Sequence, residues 1–148
     1  MQLQELGGHW QLWAGLASLM AALTAVLAKL GVVGLDAGLA TFLRTVVVVL
    51  ALGLLMAASG QLALPALQAV PARSLLALVF SGLATGLSWL FYFRALQLGP
   101  VARVASIDKF SVVLVALFGA LALGERLAPL AWLGILLMGG GAVLVAIA

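Results

Sequence analysis

The sequence predicts an all-α integral membrane protein, a five-transmembrane-helix bundle. Three observations carry that reading. Of 148 residues, 66% are hydrophobic and only 7% are charged. A soluble domain carries about 25% charged residues, so a water-soluble fold of this size could not cover its surface with so few. The apolar residues fall into five segments of about 18–25 residues, the length a helix needs to cross about 30 Å of hydrocarbon. Short breaks with turn chemistry separate them. Lipid offers backbone donors no partners, so each continuous span is expected to be helical.

The first span covers about residues 11–30. Trp10 and Trp13 open it, and such rings favour the headgroup level. His9 beside them reads as a solvated terminal residue. The stretch "MQLQELGGHWQLW" has no basic n-region, and the apolar run after it is too long for a signal-peptide core. It is therefore read as a retained span. "GVVGLDAG" leads to the second span, about residues 38–58. Its run "TVVVVL" is strand-like by propensity, but membrane context overrides that. "SGQLALPALQAVPAR", with Pro65 and Pro71, leads to the third span, about 74–98. The aromatic run "WLFYF" at 89–93 reads equally as an interfacial band or as a wall facing a solute. In "LGPVAR", Gly99 suits a helix C-cap and Pro100 stops continuation. The fourth span, about 102–123, is read as unbroken. "LGERLAP" places Pro129 at the first position of the fifth, about 130–147, which Trp132 opens. Loops this short make neighbouring helices antiparallel. Residues 1–148 read as a single transmembrane domain without an internal repeat.

Composition also narrows the chemistry. There is no cysteine, and one histidine with four carboxylates cannot easily build a metal cage. No cofactor is expected. Seven basic residues spread over apolar segments make no basic patch, so no nucleic-acid partner is expected. No nucleophile stands beside a base, so the chain does not read as an enzyme.

The charges outside the loops lie in one half of the membrane. Five spans put the termini on opposite faces. Lys29, Arg94 and Arg103 lie near the face of the C-terminus, and Arg44 lies a turn or two inside it. Arg73 and Arg126 lie on the other. The Lys/Arg bias favours the C-terminal face as cytoplasmic, but weakly, and a weak bias permits insertion in both orientations.

Within the spans the polar residues form stripes. Ser81, Thr85, Ser88 and Tyr92 recur at spacings of four and three in the third span, which puts them on one helical stripe. Ser18 and Lys29 fall on one stripe of the first span, and Thr41 and Arg44 on one of the second. Asp108 shares a face with Ser111, and Lys109 with Ser106. Asp108, Lys109 and Arg44 lie roughly 10 Å inside the C-terminal face by helical rise. Each such charge costs about 2.5–3.5 kcal/mol near mid-span, while a Leu or Val returns about 0.3–0.6. They are expected to pair or to line a polar path. Simpler roles stand beside that one. Lys29 and Arg94 can snorkel to headgroups, Arg44 and Asp108 can form a structural ion pair, and Ser or Thr can bond back to the helix.

Several stretches together resemble the EamA domain of the drug/metabolite transporter superfamily. They are "FYFRALQLGP", "IDKFSVVLV", "LGERL", the glycine-rich last helix, and "AKLG…D…ATFLRT" earlier. The likeness covers nearly the whole chain and is closest to single-domain, five-helix members. It implies one half of an inverted-repeat transporter fold, working as a homodimer, plausibly antiparallel, with a site near the midplane. The similar small multidrug resistance proteins carry a glutamate in their first helix. Here that span has no carboxylate; inside it stand Ser18, Thr24 and Lys29. The lining cations Lys29, Arg44 and Lys109 outnumber Asp108, which suits an anionic or zwitterionic solute.

The expectation is a secondary transporter of small metabolites in the cytoplasmic (inner) membrane, an exporter acting as a dimer by alternating access. Arg44, Asp108 and Lys109 form the polar core of the path. Ser81, Thr85, Ser88, Tyr92 and Lys29 are the further substrate-binding candidates. The alternative is a non-transporting membrane subunit or assembly partner whose intramembrane charges are structural pairs.

Overall fold

A computed structural model describes residues 10–62, 65 and 68–148. His9 lies outside them. Among the described residues these helices follow one another: α1 (Trp10–Gly31), α2 (Ala37–Ala58), α3 (Ala72–Leu98), α4 (Val101–Asp108), α5 (Ser111–Ala122) and α6 (Pro129–Ile147). α4 and α5 together make one span, so five segments among the described residues are long and apolar enough to cross a membrane. The described residues contain no strand, and 45–50, strand-like in isolation, lie within α2. The protein is a multi-pass membrane protein.

Local chemistry fixes the helix ends. Asp36 is the N-cap of α2, and its Oδ1 accepts the Gly38 and Leu39 N–H groups at 2.8 and 3.0 Å. This satisfies two of the donors that a helix start leaves without partners. Pro129 opens α6 at its first position, as expected. Gly124 closes the fourth span with a φ of +69°, a backbone region that suits glycine. Gly99 has no positive φ; its carbonyl instead receives the Lys29 ammonium at 2.9 Å.

The chain forms two compact units. One holds α2, α3 and the loop between α1 and α2; the other holds α1, α4, α5 and α6. In the α2–α3 unit, Ala37, Ala40 and Thr41 on α2, Phe93 and Leu96 on α3, and Val32 in the loop are buried. Leu96 is fully enclosed. Gly38 faces Leu90 across the helix pair, where an added Cβ would lie 3.7 Å from a leucine methyl. In the other unit the buried residues are small and paired three apart: Ala25 and Ala28, Ala116 and Gly119, Gly139 and Ala142. Small residues at that spacing let helix backbones approach, which stands in for a hydrophobic driving force between helices in lipid. There α6 packs on both α4 and α5.

The fourth span corrects one sequence expectation. It is not an unbroken helix but two, joined through Lys109 and Phe110. The Lys109 N–H still reaches Ala105 O. The Phe110, Val112 and Val113 N–H groups instead bond three residues back, to Ile107, Lys109 and Phe110, at 2.9–3.0 Å. That is 3₁₀ pairing, tighter than the α pattern on either side.

Candidate functional site

Two polar clusters sit inside spans, one in each unit. The first is built on α2 and α3. Arg44 lies seven residues into α2, about 10 Å along the axis. Its Cζ stands 3.4 Å above the centroid of the Trp89 ring. Trp89 is held in turn by Tyr92, at 5.5 Å and 74°, and by the buried Phe93, at 5.9 Å and 60°. Edge-on and tilted contacts at these distances are favourable for aromatic pairs. A guanidinium over a tryptophan face contributes about 2 kcal/mol when water is excluded. The stack therefore goes some way to offset the cost of carrying a cation inside a span.

No carboxylate of its own unit serves Arg44. Residues 31–97 hold one acidic residue, Asp36, and that group caps α2. Arg94 donates to Gln97 Oε1 at 3.1 Å, and Gln97 donates to Leu35 O at 2.6 Å. Arg94 thus ties the end of α3 to the loop before α2.

The second cluster is Asp108 and Lys109, at the interruption of the fourth span. Lys109 Nζ lies 3.5 Å from Asp108 Oδ2, with the two side chains 60% and 41% exposed. An exposed pair of this kind adds less than about 1 kcal/mol. Its oxygens and N–H groups keep capacity for water or solute. The local backbone does likewise, because Val112 bonds to Lys109 O and not to Asp108 O.

The other candidates divide. Lys29, near the end of α1, donates to the Gly99 carbonyl in the turn before α4, a bond within its own unit. Thr85 donates to Ser81 O at 2.9 Å, Thr41 to Ala37 O at 2.7 Å, Thr45 to Thr41 O at 2.8 Å and Ser106 to Ala102 O at 2.8 Å. These hydroxyls follow the back-bonding alternative. Ser81, Thr85 and Ser88 are exposed along α3, and Tyr92 is half-buried at its stack with Trp89. Trp89 belongs to the run 89–93 that the sequence left between an interfacial band and a solute-facing wall, and it was not singled out as a binding residue. The signal was its place one turn from Thr85 on the same stripe; its partner on α2 could not be read from the pattern.

The chain matches the EamA-like transporter family over residues 8–147. It is 51% identical over 138 residues to a protein from Sinorhizobium sp described as an uncharacterized transporter in the cobO 3' region, with 93% of this chain and 96% of that protein covered. No solved structure matches. By the span of that match and the identity to this relative, the chain belongs to the EamA-like transporter family.

Proposed function

We propose that the protein is a secondary transporter that exports small metabolites across the cytoplasmic membrane, acting as a homodimer by alternating access. The observation that carries this is Arg44. A cation sits inside a span, over the face of an aromatic ring, while the one acidic residue of its unit is spent elsewhere. Intramembrane ionisable groups without a structural partner mark solute or ion pathways. The open Asp108–Lys109 pair at a helix interruption supports the same reading, since broken helices at membrane depth are tolerated where backbone lines a cavity or is covered by protein. In this reading Arg44, Asp108 and Lys109 carry the solute's charge, and Tyr92 with the Ser81, Thr85 and Ser88 stripe borders the path. The excess of cations favours anionic or zwitterionic solutes.

The chain has no cysteine, so single cysteines can be placed without background. Cysteines at 44, 108 and 109 will react with a membrane-impermeant thiol reagent, and cysteines at the apolar positions Val48 and Val115 will not. Inertness at all three polar positions in folded protein would reject the path.

The second reading, a non-transporting subunit with structural charges, draws on the Lys29–Gly99 bond. Solute counterflow by purified protein in liposomes would dismiss it. For the dimer, a C-terminal tag will be labelled about equally from both membrane faces. One-sided labelling would exclude the antiparallel arrangement.

A further inference from the structure

The Arg44–Trp89 stack restricts what a solute can be. At 3.4 Å from Cζ to the ring centroid, the separation is one van der Waals thickness. So close an approach favours a guanidinium stacked on the ring face over one pointing its edge at it. In this pose the five guanidinium N–H groups lie in a plane parallel to the ring. None is spent on Trp89, and none is hydrogen-bonded among the described residues. The plane is held in place, because Tyr92 and Phe93 set the tilt of Trp89.

We propose that the free edge of Arg44, held flat on Trp89, binds the carboxylate of the transported solute, and that small monocarboxylates are the substrate class. This rests on the transporter reading and deepens it. Two parallel N–H groups match two carboxylate oxygens in a planar, bidentate contact. Charge sets the count. The cations of residues 31–97 are Arg44, Arg73 and Arg94; Arg73 is in the first turn of α3, and Arg94 is engaged by Gln97. Arg44 is therefore the cation of its own unit left for a solute, and the Asp108–Lys109 pair adds no net charge to the path. One carboxylate gives a neutral complex, whereas a dianion leaves uncompensated charge inside the span. A neutral solute leaves the arginine donors unpaired.

Three ring compounds of nearly equal size separate these cases: nicotinate, an anion at pH 7; nicotinamide, neutral; and 1-methylnicotinamide, a cation. Binding is measured by calorimetry on the detergent-purified full chain. Nicotinate will bind about tenfold or more tighter than either of the others, because a site built around specific donors rejects ligands that leave them unpaired. Arg44→Lys keeps the charge but loses the fork, and will weaken nicotinate about tenfold. Trp89→Leu will do the same, and Arg44→Gln will abolish the preference. Unchanged helical circular dichroism and size-exclusion profiles certify each variant; if Arg44→Gln does not fold, Arg44→Lys carries the test.

Equal binding of nicotinate and nicotinamide by the natural chain would overturn the proposal. So would natural affinity in folded Arg44→Lys and Trp89→Leu. Liposomes that exchange neutral or cationic solutes, from a protein that ignores nicotinate, would defeat the carboxylate inference and leave the transporter reading standing. Arg44-dependent binding of nicotinate with no flux of any solute would uphold the carboxylate seat at Arg44 but defeat the transporter reading, and the substrate class with it.

Discussion

Leucine at position 139 will loosen α5 from α6 and lower the free energy of unfolding by about 3 kcal/mol, the upper part of the usual overpacking range. Gly139 is buried on α6. A Cβ added there would lie 2.9 Å from Val113 Cγ2 and 3.6 Å from the Phe110 ring. Valine is stiff at χ1 in a helix, so its methyl cannot swing away cheaply. Phe110 belongs to the interruption of the fourth span, so the wedge acts on the segment that presents Asp108 and Lys109. Gly140 and Gly141 are the internal controls, because a Cβ at either meets nothing within 4 Å. Gly140→Leu will be neutral or slightly stabilising, since glycine is about 0.8–1.0 kcal/mol worse than alanine in a helix. Reversible unfolding in mixed micelles, followed by circular dichroism, measures both. Equal losses at 139 and 140 would show that α6 tolerates no side chain on either face, and the specific seat for Phe110 and Val113 would be disproved.

Gly139 also shows how far the sequence could be read. The run "MGGGA" marked a bare helix surface, but nothing in it told Gly139 from its two neighbours. That distinction depends on which side of α6 meets Val113, a tertiary fact. The spans themselves were legible, because lipid makes length and apolarity nearly sufficient evidence for a helix. The ends were legible where one residue does the work, as Asp36 and Pro129 do. The interruption at Lys109 and Phe110 was not. It contains no proline or glycine, and its cause is a change of hydrogen-bond partner from four residues back to three. Only the adjacent charges of Asp108 and Lys109 hinted that the segment differs from the apolar run after it. Lys29 illustrates the opposite case. Its place on the Ser18 stripe put it among the lining cations, but Gly99 lies 70 residues away in sequence, and no local pattern could reveal the bond. Arg44 was singled out by its cost alone; the ring that receives it came from another helix.

That cost sets up the sharpest test of what Arg44 is for. Arg44→Gln will leave stability within about 1 kcal/mol of the natural chain while removing the preference for nicotinate. An arginine near mid-span costs about 2.5–3.5 kcal/mol on the insertion scale, less where it approaches the interface. The Trp89 stack returns about 2 kcal/mol. Removing the residue discards both terms, and they nearly cancel. Trp89→Leu differs, because it strips the ring from a cation that stays. In the natural background it will cost about 2 kcal/mol more than in the Arg44→Gln background, where only aromatic packing is lost. The difference between those two losses is the coupling energy of a double-mutant cycle. Unfolding in mixed micelles gives all four corners, and nicotinate calorimetry on the same samples gives the functional column. A loss above about 3 kcal/mol from Arg44→Gln alone would exceed anything the stack supplies. The arginine would then be a structural tie of the kind a non-transporting subunit needs. Near-neutral stability with lost binding is the pattern of a residue kept at energetic expense for a solute.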